Sequence, residues 1–156
     1  MSLEIGQKVP MFTLPASDGT KWSLKEQLGK KIVLFFYPKD MTPACTQEAC
    51  DLRDIYSELQ QLGVEVVGIS MDSEKSHRNF IAKQNLPYVL LTDEHHKVCE
   101  KYGVWQLKKL YGREYMGIVR STFLIDEKGK LLERWDRVKV KGHAQAVLEV
   151  VQNVRL

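Results

Sequence analysis

Apolar and polar positions follow two rhythms along the chain. Ile32-Val33-Leu34-Phe35-Phe36-Tyr37 is an unbroken β-branched and aromatic run stopped by Pro38. That is the pattern of a strand buried on both faces. Val64 to Ser70, Tyr88 to Leu91 and Ser121 to Ile125 are shorter runs of the same kind. Asp126 to Lys130 is a polar, glycine-containing turn, and Leu131 to Trp135 returns from it as a hairpin partner. A smaller hairpin is predicted around Asp18-Gly19, with Phe12-Thr13-Leu14 and Lys21-Trp22-Ser23 as its arms. Between the strands the period changes. From Thr42 to Leu62, Ala49, Leu52, Ile55, Tyr56, Leu59 and Leu62 recur at spacings of three and four, with Gly63 as the stop. Ser73 to Asn85 and Ala144 to Val154 carry the same signature. Strands alternating with helices predict an α/β fold with a central mixed sheet, antiparallel at one side, and an N-terminal hairpin.

Neither repeats nor linker-like stretches divide the 156 residues, so residues 1–156 read as a single domain. The composition is 44% hydrophobic and 28% charged, which is that of a globular chain. A net charge of +3 is too weak an excess to predict nucleic-acid or membrane-surface binding. The six-residue run at Ile32 is the longest apolar stretch, where a membrane span needs about 20. No basic segment leads into an apolar one at the N-terminus, so a cytoplasmic location is the expectation.

Three cysteines, Cys45, Cys50 and Cys99, are too few for a disulfide framework. In a reducing compartment such residues are more often catalytic or metal-binding than structural. The informative segment runs from Tyr37 to Cys50 and joins the first buried strand to the long helix. Pro43 suits the first helical position, which makes Thr42 the N-cap and places Cys45 third in the first turn. Unpaired backbone N–H groups and the helix dipole favour negative charge there, and a thiolate is the nucleophilic form of cysteine. Cys50 lies five residues on. An ideal helix sets the two Cα atoms roughly 8–9 Å apart, beyond the upper limit of about 7 Å for a disulfide. If the two bond, the first turns must unwind. Arg120, just before the strand at Ser121, could reach the same helix start from a neighbouring strand end, where it would hold a thiolate and polarise a leaving oxygen.

Pro38-x-x-x-Thr42-x-x-Cys45 resembles the active-site signature of the peroxiredoxins, thiol-dependent peroxidases on a thioredoxin-like fold. Lys39 to Pro43, with Glu48 and Cys50 beyond, is similar to the bacterioferritin co-migratory protein or peroxiredoxin Q subgroup. Phe12 to Pro15, Arg120 to Asp126 and Lys139 to His143 extend the likeness almost end to end. The resemblance implies Cys45 as peroxidatic cysteine and Cys50 as resolving cysteine of an atypical two-cysteine enzyme. Thr42 becomes the hydroxyl that bonds thiolate and peroxide, Arg120 the stabilising cation, and Pro38 the shield against water. Glu48 falls beside the pocket. The implied reaction reduces hydrogen peroxide or organic hydroperoxides through a sulfenic acid and a Cys45–Cys50 disulfide, which thioredoxin or a similar dithiol reduces, in a monomer without metal or other cofactor. Ala44 stands where many subgroup members have glycine.

Other assignments use the same residues. A non-enzymatic redox sensor would need only the Cys45 chemistry. Zinc could in principle draw on Cys45, Cys50, His95, His96 and Cys99, although the spacing lacks the paired short motifs of structural sites. Cys99 reads as a packed thiol, with an alternative resolving role as its rival. Lys108, Lys109 and Arg113 read as a solvated face, and Trp105, Tyr111 and Tyr115 as cover for the core.

Overall fold

The computed structural model describes residues 3–154. Its elements run β1 (Thr13–Pro15), β2 (Lys21–Ser23), α1 (Leu24–Gln27), β3 (Lys31–Phe36), α2 (Pro43–Asp54), α3 (Tyr56–Gln61), β4 (Val64–Ser70), α4 (Glu74–Gln84), β5 (Leu90–Thr92), α5 (Lys97–Lys101), β6 (Trp105–Leu110), β7 (Arg113–Ile118), β8 (Ser121–Ile125), β9 (Leu131–Trp135) and α6 (His143–Asn153). The central sheet has the order β5-β4-β3-β8-β9. Strands β3, β4 and β5 are parallel, while β8 and β9 join antiparallel. This is the mixed α/β sheet with an N-terminal hairpin that the periodicity predicts.

The uniform apolar run of β3 is explained by its two buried faces. Ile32, Leu34 and Phe36 point into one core layer with Phe12, Trp22, Tyr102 and Phe123. Val33, Phe35 and Tyr37 point into the other, with Leu52, Phe80 and Val147 from α2, α4 and α6. Gly68 on β4 is where the second of these layers packs down onto the sheet. A Cβ there would lie 2.7 Å from both Leu90 Cδ2 and Phe35 Cζ, so only glycine lets the Phe35 ring pack across the strand.

Two differences from the sequence expectation bear on the surroundings of the site. The single helix predicted from Thr42 to Leu62 is two, because the backbone leaves helical geometry at Ile55 (φ −106°, ψ 5°). Apolar spacing continues through the break since both helices lie on the same sheet face, so periodicity alone does not register it. The second difference is the β6–β7 hairpin, for which no strands were expected. Its turn residues Tyr111 and Gly112 both have positive φ, 50° and 77°, as a two-residue hairpin turn requires. Among the described residues the hairpin pairs only with itself, and it leaves Leu107, Leu110, Tyr111, Tyr115 and Met116 exposed. Tyr111 and Tyr115 therefore do not cover the core. Trp105 is half-buried at the root of β6, stacked on His96 with ring centroids 4.0 Å apart.

Candidate active site

The site forms where β3 ends. Strand β3 delivers Tyr37 and Pro38 into a loop that starts α2. Antiparallel pairing sets Phe36 opposite Ser121, so Arg120, one residue before β8, lies level with that loop. The strand ends therefore meet through antiparallel pairing. The Arg120 carbonyl accepts from Val138 N at 3.0 Å, which fixes its backbone to the segment after β9.

Thr42 is the N-cap of α2, extended at φ −81° and ψ 154°, and Pro43 opens the helix. Its hydroxyl does not cap the helix. It donates backward to the Lys39 carbonyl at 2.8 Å. Cys45 follows as third helical residue and is buried, 2% exposed. Arg120 Nη2 donates to Cys45 Sγ at 3.3 Å, and Nη1 donates to Glu48 Oε1 at 2.7 Å. Cys45 and Glu48 share a helix face by their three-residue spacing, so one guanidinium bridges two acidic groups. Burial works against the charge on Arg120, but Glu48 and Cys45 outweigh it and hold its pKa above the ordinary value. For Glu48 the balance goes the other way. Burial pushes its carboxyl up to about 7 against the pull of Arg120, and Oε2 is buried with no hydrogen-bond partner among the described residues. The orphaned oxygen gives the direction its physical cause: one half of the carboxylate is desolvated without compensation.

The loop before Thr42 is pinned by a buried polar network. Asp40 accepts from Tyr37 Oη at 2.6 Å and Ser76 Oγ at 2.8 Å, and faces His77 Nδ1 at 2.8 Å. Its backbone N–H donates to Asp72 at 2.8 Å. Asp40, Asp72 and His77 are the group of potential metal ligands that converge among the described residues, and these hydrogen bonds already join them. The donors considered for zinc do not converge. Cys45 packs in the core layer under α2, whereas Cys99 packs in the opposite layer. Burial drives the Cys99 thiol well above the ordinary range, Asp93 adding to it, as a packed thiol requires.

Cys50 is half-buried and unpaired, its Sγ donating to Gln84 Oε1 at 3.4 Å. With α2 intact it does not meet Cys45. Beside Arg120 a cavity of about 590 Å³ is lined by Pro38, Leu107, Lys108, Val119 and Val138. Lys109 and Arg113 are exposed, as a solvated face implies, with Lys109 at the cavity's edge, while Lys108 lines it half-buried. Its Nζ donates to the Ile118 carbonyl at 2.9 Å. Sequence reasoning missed it because its inward aim depends on the unexpected hairpin.

A thiol in a first helical turn, a guanidinium on its sulfur and an adjoining pocket define a thiol-dependent oxidoreductase. Residues 5–134 match the AhpC/TSA family, and the chain belongs to that family: it is a peroxiredoxin. It is 49% identical to Peroxiredoxin Bcp of Bacillus subtilis over 154 residues, covering 99% of this chain and 98% of that protein. It is 44% identical to Peroxiredoxin Bcp of Escherichia coli over 146 residues, 94% of each chain. The structure superposes on Xanthomonas campestris peroxiredoxin Q with TM-score 0.89, at 39% identity over 93% of this chain and 92% of that one. The match to Xylella fastidiosa PrxQ has TM-score 0.94 at 33% identity, over 100% and 99% of the two chains.

Proposed function

We propose that this peroxiredoxin reduces hydrogen peroxide and organic hydroperoxides with Cys45 as the peroxidatic and Cys50 as the resolving cysteine. The observation that carries the assignment is the Arg120 guanidinium bonded to Cys45 Sγ at 3.3 Å. The Cys45 thiolate attacks one peroxide oxygen. An S–O bond forms, the O–O bond breaks, and the electron pair departs on the second oxygen, which takes a proton. Cys45 becomes a sulfenic acid. Arg120 stabilises the negative charge that spreads across sulfur and both oxygens. Thr42 accepts from the peroxide, and Pro38 walls the pocket against water. The first turns of α2 then unwind. The Cys50 thiolate attacks the Cys45 sulfur, the S–S bond forms and the hydroxyl leaves as water once protonated. An external dithiol, thioredoxin or a chemical equivalent, returns both thiols by exchange. The chain works as one domain and as a monomer, since both cysteines lie on α2, and its setting is the cytoplasm. No helix among the described residues is long and apolar enough to cross a membrane.

Intact mass and thiol count after one equivalent of hydrogen peroxide test this. Wild type is expected to lose two hydrogens and two thiols, and Cys50→Ser to hold a trappable sulfenic acid. Cys45→Ser is expected to consume no peroxide. Three intact thiols in treated wild type would overturn the assignment, and a disulfide in Cys50→Ser would transfer resolution to Cys99.

A further inference from the structure

The departing oxygen of a hydroperoxide is a poor leaving group and must be protonated. Arg120 is a weak proton donor, because its charge is held by Glu48 and Cys45. We propose that Lys108 is a further catalytic residue, whose ammonium gives its proton to the oxygen that leaves. The inference rests on Cys45 as the attacking thiolate.

Three observations carry it. Lys108 lines the same cavity as Arg120 and Pro38, and its Nζ is held by the Ile118 carbonyl at 2.9 Å, two residues from Arg120. Gly117 leaves room for this placement. A Cβ on Gly117 would lie 3.1 Å from Lys108 Cδ, so the bare backbone of β7 is the bed over which the lysine stem crosses to reach inward. Burial and then Arg120 lower the Lys108 pKa from its usual value, with the Cys45 charge pulling the other way. That makes it a readier acid than a solvated lysine. Its neighbour Lys109 also borders the cavity, but its side chain is 73% exposed and lies 3.6 Å from Glu114 across the hairpin, so it keeps the solvation that Lys108 has lost.

The step balances. The Cys45 electron pair forms the S–O bond to the terminal oxygen of ROOH, and the O–O bond breaks toward RO. One proton moves from Lys108 Nζ to that oxygen and gives ROH. Cys45 keeps the hydroxyl as sulfenic acid. The neutral amine regains the proton that Cys45 released to solvent on ionising.

The test is leaving-group dependence in a single turnover. Cys45 oxidation is timed by rapid quench and mass for tert-butyl hydroperoxide, whose alkoxide needs a proton, and for peracetic acid, whose acetate does not. Lys108→Met is expected to slow the first reaction by about 10² and the second by less than about threefold. Lys108→Arg keeps the charge but is expected to stay slow with the alkyl hydroperoxide. Gly117→Ala, which displaces the stem, is expected to show the same selectivity in weaker form, and Lys109→Met to match wild type with both oxidants. Equal slowing with both oxidants, no slowing with either, or full rescue by arginine would each overturn proton donation. A failure of the underlying assignment is scored separately: peroxide consumption by Cys45→Ser would sink that assignment and this proposal with it, whereas the selectivity outcomes above bear on proton donation alone.

Discussion

Thr42 has already committed its hydroxyl proton to the Lys39 carbonyl, at 2.8 Å. Toward a peroxide it can act only as an acceptor. Thr42→Val keeps the shape and removes that acceptor, so Cys45 oxidation is expected to slow on the order of 10²-fold. Thr42→Ser is expected to recover to within about threefold of wild type. Rapid-quench mass spectrometry reads both, and a fast valine variant would show that the hydroxyl serves only the loop. Cys45, Thr42 and Pro38 are legible in the sequence because their placement is local: a proline after a strand, a cap, and a thiol three residues into a helix. Arg120 is legible as a residue just before a strand and through the family likeness, but its approach to Cys45 depends on the antiparallel register of β8. Glu48 is visible as a neighbour of the thiol, but the burial that raises its pKa belongs to tertiary packing.

For the proposed Cys45–Cys50 disulfide to form, helix α2 has to unwind at its start, yet beyond Glu48 it is clipped to its surroundings. Tyr88 Oη donates to the Ala49 carbonyl at 2.6 Å, Cys50 Sγ to Gln84 Oε1 at 3.4 Å, and Arg53 Nη1 to the Gln84 carbonyl at 2.7 Å. A hydrogen bond of this kind contributes about 1 kcal/mol, which is roughly fivefold in a rate if it is lost on the way to the transition state. Tyr88→Phe is therefore expected to leave Cys45 oxidation unchanged, to speed disulfide formation several-fold and to raise the peroxide concentration at which sulfinic acid accumulates. Stopped-flow oxidation followed by mass analysis separates the two steps. Slower disulfide formation would mean instead that the clip holds Cys50 ready for attack. At this scale β3, β4, β8, β9, α4 and α6 follow from period and caps. The break at Ile55 does not, because α2 and α3 bury the same side. The β6–β7 hairpin does not either. Exposed apolar residues lie on both of its faces, Leu107 and Met116 on one, Leu110 and Tyr115 on the other, so the alternation that marks a half-buried strand is missing.

In the molecule as a whole, two buried titratable groups around Arg120 push stability in opposite directions with pH. Glu48 has its carboxyl raised by burial from 4.5 to about 7. Its stabilising contribution is complete below the unfolded value and is lost as pH rises toward 7. His143, at the start of α6, is held beside Thr122 Oγ1 at 2.8 Å. Burial first, and then the Arg120 charge, lower its pKa from 6.5 to about 4. Its contribution is complete above 6.5 and is lost as pH falls toward 4. The windows overlap between about pH 4.5 and 6.5, where each group alone would give a slope approaching 1.4 kcal/mol per pH unit and the two cancel. Relative to reduced wild type, Glu48→Gln is expected to gain stability with rising pH across that window, because the His143 slope is no longer opposed. His143→Gln is expected to lose stability over the same range, the Glu48 slope now standing alone. Urea unfolding at half-unit pH steps measures both. The difference curves should slope with opposite sign, and a variant running parallel to wild type would mean that its group titrates alike in the folded and unfolded chain. Because Arg120 touches Glu48 and Cys45 at once, the same carboxyl that tilts stability also sets how much of the guanidinium is left for the thiolate. The Glu48→Gln variant should therefore oxidise at Cys45 with a flatter dependence on pH near 7 than wild type.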